Sequence, residues 1–572
     1  MKMKIKFIGE NLVADFVIVG SGASGGIFAN ILSQGGKYSV ILLEAGPFRS
    51  NDQFIRRAQF NRIILSDLWY DYGWWGQTVN EPAMANRAFL WPQTGRISGG
   101  STSINNLNMV KPSPANLQQW ENLLGSFWSV QKQYQAYKEI ETFRGVSSQP
   151  ETRGNSGPLQ ILQIPQSGVT VASGKITTAM AQVTGIPVIV DYNAPSTPIG
   201  QTRTFQNWEY PNGDRSDSYT AFIDPIVGKV RDNVMYGKGD NNIVVIYEAT
   251  AQGYYFSDRE AHAVDFLRHK KCYRAYAKRG VIDASGLLSA QLLMVSGIGP
   301  IDVLEKIKVK PVVINENVGK DLQNHNIISA IFNKPPADYL TPPNEPWATT
   351  TTASMLPDPS GLVNQAQRGL MVFFIDGLVP DTNGQVLNYG QLIANGFQLN
   401  SFSRGVLTVN SEDVQKIAIV DTNYLTDNRD LQFWFDFFRK IIKPFAAAIA
   451  AIDPAYTLVS PPLATIDNNA LLEAFIRNNL RQTHHGRGPV RMAPKDQGGV
   501  VDAQGRVYGV KNLLCWNASV LPFEPDGNTA EPIFGGAWIL SHWLRKNKFV
   551  SKKIEYKCIG DWKELTKKCN PF

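Results

Sequence analysis

The sequence predicts an α/β fold with two lobes, and three observations lead to this prediction. The chain has 572 residues, which is too many for one ordinary hydrophobic core. Hydrophobic residues make up 43% of the chain and charged residues 18%, which is the balance of a folded globular protein. Near the start, an apolar run rich in β-branched residues, a helical stretch and a second apolar run follow one another. Such a unit begins a doubly wound parallel sheet.

The elements follow in order along the chain. The first strand is predicted over residues 15–20 (DFVIVG), the helix over 22–33 and the second strand over 38–44 (YSVILLE). Further strands are predicted over 158–164, 243–247, 406–409 and 513–516, and further helices over 287–296 and 431–451. This order predicts a nucleotide-binding lobe assembled from separated segments, with a mixed α/β lobe inserted between them.

The first turn carries a glycine fingerprint where nucleotide binding requires it. Gly20-Ser-Gly22-Ala23-Ser24-Gly25 follows the first strand and opens the helix. The first glycine permits the tight turn, the second lets the backbone approach a pyrophosphate, and the third lets helix and strand pack closely. Glu44 ends the second strand, 19 residues after Gly25, where a carboxylate accepts hydrogen bonds from the ribose of an unphosphorylated dinucleotide. The fingerprint alone leaves FAD and NAD open.

Several classes of protein are excluded by composition. The longest apolar stretch, residues 445–452, is far shorter than the roughly 20 residues of a membrane-spanning helix. No apolar run of signal-peptide length follows the N-terminal lysines, so we expect an intracellular, cytoplasmic protein. The four cysteines lack metal-ligand spacing, and so do the histidines and carboxylates. We therefore expect no metal site and reduced thiols, with Cys558 and Cys569 as a pair that an oxidising compartment could join.

The C-terminal tail is basic. The whole chain has a net charge of +7, and residues 546–572 contain eight lysines and three acidic residues. Such a segment is usually a solvated appendage. The alternative is an arm that binds a polyanion such as nucleic acid, or an acidic partner.

Three further segments resemble the signatures of the glucose–methanol–choline (GMC) oxidoreductase family. Residues 95–105 (GRISGGSTSIN) resemble its first signature and residues 285–300 (SGLLSAQLLMVSGIGP) its second, while residues 318–325 (VGKDLQNH) are similar to its VGxNLQDH stretch. With the glycine turn and a matching C-terminal block, these motifs span nearly the whole chain in the family's order. The chain is identified as a member of this family.

The resemblance implies a Rossmann-like FAD-binding lobe assembled from discontinuous segments and a mixed α/β substrate-binding lobe with an antiparallel sheet. Its implied division of the chain assigns residues 12–150, 220–325 and 495–545 to the FAD-binding domain. Residues 151–219 and 326–494 form the substrate-binding domain, and residues 546–572 the basic tail.

The C-terminal block implies the catalytic residues. Residues 485–492 (HGRGPVRM) are similar to the family's HxxGTxxM segment, and Asn528 stands where relatives have His or Asn. Hydride leaves an alcohol carbon as the hydroxyl loses its proton, so a base is needed near the flavin. His485 fits that role because histidine titrates near neutrality, and Asn528 can orient the substrate oxygen. We expect His484 to be structural, since neighbours in a strand point to opposite faces, and His325 to be a structural or flavin-lobe residue.

The residues expected to contact FAD lie in the glycine turn, at the end of the second strand, in the first signature, in one downstream strand and in the C-terminal block. They are Gly20, Gly22, Ala23, Ser24, Gly25, Glu44, Ala45, Arg96, Gly99, Gly100, Ser101, Asn105, Val245, Asn517, Ala518 and Thr529. Asn517 stands where the family usually has aspartate. Ile104 lies near the position of the histidine through which some relatives attach FAD, so we expect non-covalent FAD.

The leading hypothesis is FAD-dependent oxidation of a primary or secondary alcohol, with O2 or another electron acceptor. If the rings of segment 69–75 (WYDYGWW) face the flavin, an apolar or aromatic alcohol is favoured over a sugar. Two alternatives stay open. GMC-type proteins of large DNA viruses reuse the fold as a structural or genome-associated component, which would place this chain in a virion and fits its basic tail. Redox-neutral relatives such as hydroxynitrile lyases keep FAD and use the base for C–C cleavage.

Overall fold

The computed structural model describes most of the chain. The described residues are 6–8, 11–49, 52–58, 94–165, 169–335, 338, 352–375, 379–380, 386–387, 391–416 and 418–547. The aromatic segment 69–75, Cys558, Cys569 and all but the first two residues of the basic tail lie outside them. What we expect of those segments stays a prediction.

The larger sheet has ten strands with a parallel centre. Its central strands, in spatial order, are Leu513–Cys515, Lys271–Asp283, Asn11–Val19, Val40–Leu43 and Ile243–Ile246. Antiparallel strands complete the sheet: Thr250–Ser257, Glu260–Arg268, Val234–Gly237, Val227–Arg231 and Lys6–Ile8. Every residue of the two short central strands from 40 and 243 is buried, as a parallel sheet covered on both faces requires. The helices Gly25–Ser33 and Ala530–Lys546 pack together on this sheet.

The second sheet is antiparallel and has seven strands. They are Thr457–Ser460, Asn326–Asn333, Gln391–Gln398, Leu370–Ile375, Thr352–Leu356, Gly200–Thr202 and the edge strand Arg481–Gln482. One face packs on the helices Val171–Thr184 and Lys443–Ile452 through a separate hydrophobic cluster that includes Phe332, Phe374 and Phe445. The other face carries Ile327, Phe373 and Phe397 and is turned towards the larger sheet. The predicted α/β fold with a second, antiparallel sheet is confirmed.

Smaller elements connect the two sheets. The short strands are Glu141–Arg144, Leu159–Gln163 and Gln206–Trp208 in one sheet, and the pairs Ile298–Gly299 with Val313–Ile314, Val379–Pro380 with Val386–Leu387, and Val406–Thr408 with Ile419–Asp421. Apart from the helical segment over residues 428–452, the remaining α-helices of the described residues are Gln53–Arg56, Pro114–Leu124, Val130–Ile140, Leu288–Val295, Ile301–Lys306, Leu463–Asp467 and Asn469–Asn479. The predicted domain boundary at residue 150 falls within the three-stranded sheet, and the division of the chain stays a prediction.

The predicted helix over 431–451 is the element that differs most in detail. It begins with Asn428–Asp436 and ends with Lys443–Ile452, and a wider π-helical turn, Phe437–Ile442, joins the two. Pro444 explains the wider turn, because proline lacks an amide N–H and its ring clashes with the carbonyl four residues earlier. The first strand begins four residues earlier than predicted, at Asn11, and the first helix begins three residues later, at Gly25. The other predicted strands and helices agree with the structure to within two residues.

One expectation about the cysteines is wrong. Cys272 is disulfide-bonded rather than a reduced thiol. Cys515 is a free thiol, and burial raises its pKa. The pattern of four scattered cysteines carries no information about which side chains meet in space. Among the described residues, no helix is both long and apolar enough to cross a membrane.

Candidate active site

A cavity of about 530 Å³ lies at the carboxyl ends of the parallel strands. This is the edge at which doubly wound sheets bind ligands. Most of the predicted site residues line it: Gly20, Gly22, Ala23, Ser24, Glu44, Ala45, Gly100, Ser101, Asn105, His485, Asn517, Ala518, Asn528 and Thr529. The structure thus brings together residues that lie up to 509 positions apart in the chain.

Four predicted site residues do not line this cavity. Val245 is buried in the middle of its strand and pairs with Leu42, while the residues that reach the cavity, 249–251, follow the strand's end. Gly25 packs so closely that a Cβ there would lie 1.8 Å from the carbonyl oxygen of Gly20, which is the helix–strand contact expected of the third glycine. Gly99 donates its N–H to Ser21 Oγ at 3.0 Å, and Arg96 lies close enough to Glu44 to lower that carboxyl's pKa.

Glu44 is held in place at one end of the cavity. Its Oε2 accepts hydrogen bonds from the Ser21 N–H at 2.9 Å and the Ser21 hydroxyl at 2.6 Å, and its Oε1 from the Gly46 N–H at 2.8 Å. Burial raises the pKa of this carboxyl, and these hydrogen bonds oppose the increase. The arrangement fixes an acceptor at the end of the second strand, as recognition of a ribose requires.

The first-signature loop lies directly over the glycine turn. A Cβ on Gly100, whose φ is +57°, would approach Gly22 Cα to 2.9 Å, so position 100 requires glycine. Arg215, which sequence reasoning missed, is fully buried and donates to Asn105 Oδ1 at 2.7 Å and to the Asn105 carbonyl at 2.8 Å. A lone arginine more than 100 residues downstream carries no motif that could have indicated this role.

Two histidines and an asparagine meet at the other end of the cavity. His485 Nε2 lies 3.3 Å from Asn528 Nδ2, and His485 Nδ1 lies 3.0 Å from His325 Nδ1. Pairing of the edge strand Arg481–Gln482 with residues 326–327 brings the two histidines together. The Asn528 Oδ1 atom is buried and without a hydrogen-bond partner, so a polar group is available to a bound molecule.

His325 belongs to this arrangement, which goes beyond the structural role expected of it. It is fully buried, and its Nε2 lies 3.8 Å from Glu524 Oε1. Burial, with a smaller contribution from nearby Arg487, lowers the pKa of His325 to about 3. Burial raises the pKa of Glu524 to about 7, against the opposing effects of Arg487 and Ser401. Burial also lowers the pKa of His485 well below its usual value, with smaller contributions from His325 and His484.

The expectation that His484 points away from the site is wrong. Its backbone is left-handed, with φ +63°, and its side chain lines the same cavity as His485. Alternation of side chains applies only to extended backbone, and the strand ends at Gln482. Sequence alone did not show where that strand would end.

Asn517 is buried next to Asp283, whose side chain is a buried carboxyl group. Its Nδ2 donates to the Asp283 carbonyl oxygen at 3.2 Å and to Ser289 Oγ at 2.8 Å. The Ser289 hydroxyl in turn donates to Asp283 Oδ1 at 2.9 Å. An amide at 517 therefore supplies donors that an aspartate would lack.

The lining of the cavity is chemically simple near His485. Ile327, Phe373 and Phe397 of the antiparallel sheet face it. Glu44, at the opposite end, is the single carboxylate among the described residues that line the cavity. Within the described part of the chain, no group of three or more His, Cys, Asp or Glu side chains could hold a metal ion.

Comparison with known proteins agrees with this geometry. Residues 14–327 and 401–537 match the two family models of GMC oxidoreductases. The oxygen-dependent choline dehydrogenase of Rhizobium etli (strain CIAT 652) is 28% identical over 564 residues, which cover 95% of this chain and 97% of that protein. The choline oxidase of Arthrobacter globiformis is 26% identical over 523 residues, covering 89% and 90%.

Solved structures show the same fold. Pyridoxine 4-oxidase from Mesorbium loti superposes with a TM-score of 0.79 at 22% identity, over 93% of this chain and 99% of that one. A fungal aryl-alcohol oxidase superposes with a TM-score of 0.77 at 16% identity, over 94% and 99%.

The fold and the cavity define a dinucleotide-binding oxidoreductase. The chain belongs to the GMC oxidoreductase family, and its similarity to choline dehydrogenases and a choline oxidase supports FAD-dependent alcohol oxidation in general. Its cofactor is FAD, and the residues present fit that group. Glu44 offers a ribose acceptor, the glycine turn leaves space for a diphosphate at a helix N-terminus, and the cavity continues from there to His485.

Proposed function

We propose that this chain oxidises an apolar or aromatic primary or secondary alcohol, with His485 as the base and Asn528 as the orienting partner. The observation that carries the proposal is the contact between these two side chains at the end of a cavity whose near wall is apolar. When bound, FAD supplies the flavin N5 that accepts a hydride from the alcohol carbon. The protein's part is to bind the alcohol, orient its hydroxyl and remove the proton.

Hydrogen bonding assigns the proton on His485. Asn528 Nδ2 can only donate, so His485 Nε2 presents its lone pair towards the cavity and Nδ1 carries the hydrogen. That hydrogen is donated to His325 Nδ1, which leaves the His325 hydrogen on Nε2, facing Glu524. The lowered pKa of His485 keeps Nε2 unprotonated at neutral pH, as a base requires. A substrate hydroxyl that displaces Asn528 Nδ2 from this lone pair can donate to Nε2, and the freed Nδ2 can then donate to the substrate oxygen.

The test of the proposed function is anaerobic reduction of the holoprotein by alcohols. The flavin absorbance should bleach when benzyl alcohol is added, and more slowly with glucose, because Ile327, Phe373 and Phe397 offer no hydrogen bonds to sugar hydroxyls. Bleaching by glucose faster than by benzyl alcohol would contradict the substrate class. Peroxide release measured against dye reduction then decides between O2 and another electron acceptor.

Choline, the substrate in the names of several relatives, is not the substrate proposed here. Aromatic faces bind a quaternary ammonium group, but the described cavity residues near His485 offer no carboxylate to balance its charge. Glu44 is engaged at the far end of the cavity by Ser21 and Gly46. Nothing among the described residues favours a genome-associated role, because the tail on which that alternative depended lies outside them.

FAD should be released when the protein is unfolded. Ile104, at the position near the family's attachment histidine, lines the cavity and has no nucleophilic atom. After precipitation with acid, the yellow colour should stay in the supernatant, where its absorbance gives the FAD content. Colour that remains in the washed pellet would contradict non-covalent binding.

His325 should act as a positioning residue for His485. In His325→Ala the His485 Nδ1–H loses its acceptor, and we expect kcat to fall roughly tenfold to a hundredfold with a smaller change in KM. His325→Gln keeps a side-chain acceptor, and we expect it to restore part of kcat. A KM increase with unchanged kcat, in either variant, would contradict the positioning role.

A further inference from the structure

A second cavity, of about 440 Å³, lies on the antiparallel sheet. Ser329, Asn395 and Arg481 give it polar groups, and isoleucines give it apolar walls. The isoleucines are Ile331, Ile375 and Ile393. Nothing in the proposed mechanism uses these residues.

The two cavities lie on the same face of the sheet. Ile327 pairs with Phe397 and both line the catalytic cavity, while Ser329 pairs with Asn395 and both line the second one. Side chains two residues apart along a strand share a face and are separated by about 7 Å. Phe373 of the catalytic cavity pairs with Asn395 of the second. The second cavity therefore starts one row of side chains beyond the first.

Arg481 is the cation of this second cavity. It pairs with Ile327 across the sheet edge, and its Nη2 donates to Ser329 Oγ at 2.6 Å. Arg481 is exposed to solvent, and partial desolvation lowers its pKa with no charged group in the described part of the chain opposing that decrease. No described carboxylate forms an ion pair with Arg481. By contrast Arg477, in the preceding helix Asn469–Asn479, forms an ion pair with Glu473. Since a guanidinium has five N–H donors, Arg481 keeps donors for a two-point contact with a carboxylate.

We propose that the alcohol substrate carries a carboxylate at its far end, bound by Arg481, with an apolar spacer between the carboxylate and the carbinol carbon. This inference rests on the proposed alcohol oxidation for its catalytic half. The carbinol lies at His485, the spacer lies along Ile327, Phe373 and Phe397, and the carboxylate reaches the second cavity. The substrate class is therefore a hydroxy acid, opposite in charge to choline.

Equilibrium binding tests the anion site without any turnover. 4-Methylbenzoate and its neutral counterpart 4-methylbenzamide are titrated into the holoprotein by calorimetry. We expect the carboxylate to bind at least tenfold more tightly than the amide, and Arg481→Gln to remove that difference while Arg481→Lys keeps part of it. Arg477→Gln is the matched control and should leave both dissociation constants unchanged. Equal binding of the two compounds to the unchanged protein, or equal effects of the two glutamine variants, would overturn the proposal.

Turnover separates this inference from the proposed function. 4-(Hydroxymethyl)benzoate should show at least a tenfold higher kcat/KM than benzyl alcohol, and Arg481→Gln should lower kcat/KM only for the carboxylate. If benzyl alcohol bleaches the flavin and the carboxylate gives no advantage, the anion site is wrong and the alcohol oxidation stands. If neither alcohol bleaches the flavin but 4-methylbenzoate binds through Arg481, the alcohol oxidation is wrong and the anion site stands.

Discussion

His485→Ala should lower kcat for alcohol oxidation by about a thousandfold. The substrate hydroxyl then has no acceptor for its proton at the end of the cavity, and hydride cannot leave the alcohol carbon without that acceptor. Asn528 cannot replace it, because an amide nitrogen does not take up a proton near neutrality. The measurement is the rate of anaerobic flavin reduction after rapid mixing with a saturating alcohol.

Two controls make this result specific. His542 lies on the C-terminal helix outside the cavity, where its Nδ1 donates a hydrogen bond to the Trp538 carbonyl oxygen. His542→Ala should therefore leave the rate of flavin reduction unchanged. Asn528→Ala should slow reduction less than His485→Ala, because it removes orientation and leaves the base. A His485→Ala variant that keeps more than a tenth of the wild-type rate would show that another group takes the proton.

The pH dependence of the same reaction has a defined direction. Burial lowers the pKa of His485, so the neutral form that acts as a base persists below the usual histidine range. The rate constant for reduction should therefore stay constant from neutral pH down past 6.5, histidine's ordinary value, and fall only at more acidic pH. An increase in rate as the pH drops would contradict a neutral base.

The nucleotide-binding half of the site could be predicted because its determinants are local. A strand, three glycines and a following helix occupy one short stretch, and within it Gly25 packs against the Gly20 carbonyl oxygen. Glu44 is fixed by the end of its strand, so its position can be counted from Gly25. Val245 was predicted to contact FAD, but it lies inside its strand. The sequence of a buried strand does not indicate which residue is the first to lie beyond the sheet.

The catalytic half was predicted less completely. His485 and Asn528 were found through motif resemblance, but the contact between His485 and His325 depends on how an edge strand pairs with a strand 155 residues earlier. Arg481 shows the same limit, because its place on the cavity face depends on that register. Strand register is set by packing of the whole sheet, which no local pattern in the chain displays.

The second large effect expected is on stability. Asn517→Asp should lower the free energy of unfolding by about 2 to 3 kcal/mol. This places a second buried carboxylate beside Asp283 and removes both Nδ2 hydrogen bonds. Ser289 has a single hydroxyl hydrogen, which already goes to Asp283 and cannot serve two acceptors. Thermal unfolding of the holoprotein should show a midpoint lower by about 2 °C.

The double variant Asn517→Asp with Asp283→Asn isolates the cause. It restores one carboxylate and one amide on the two sides of the Ser289 hydroxyl, so most of the lost stability should return if the charge pair is responsible. If the double variant is no more stable than Asn517→Asp alone, the loss of unfolding free energy comes from the altered cavity wall and not from the two carboxylates. Recovery would show that asparagine at 517, where the family usually has aspartate, is matched in this chain by the buried Asp283.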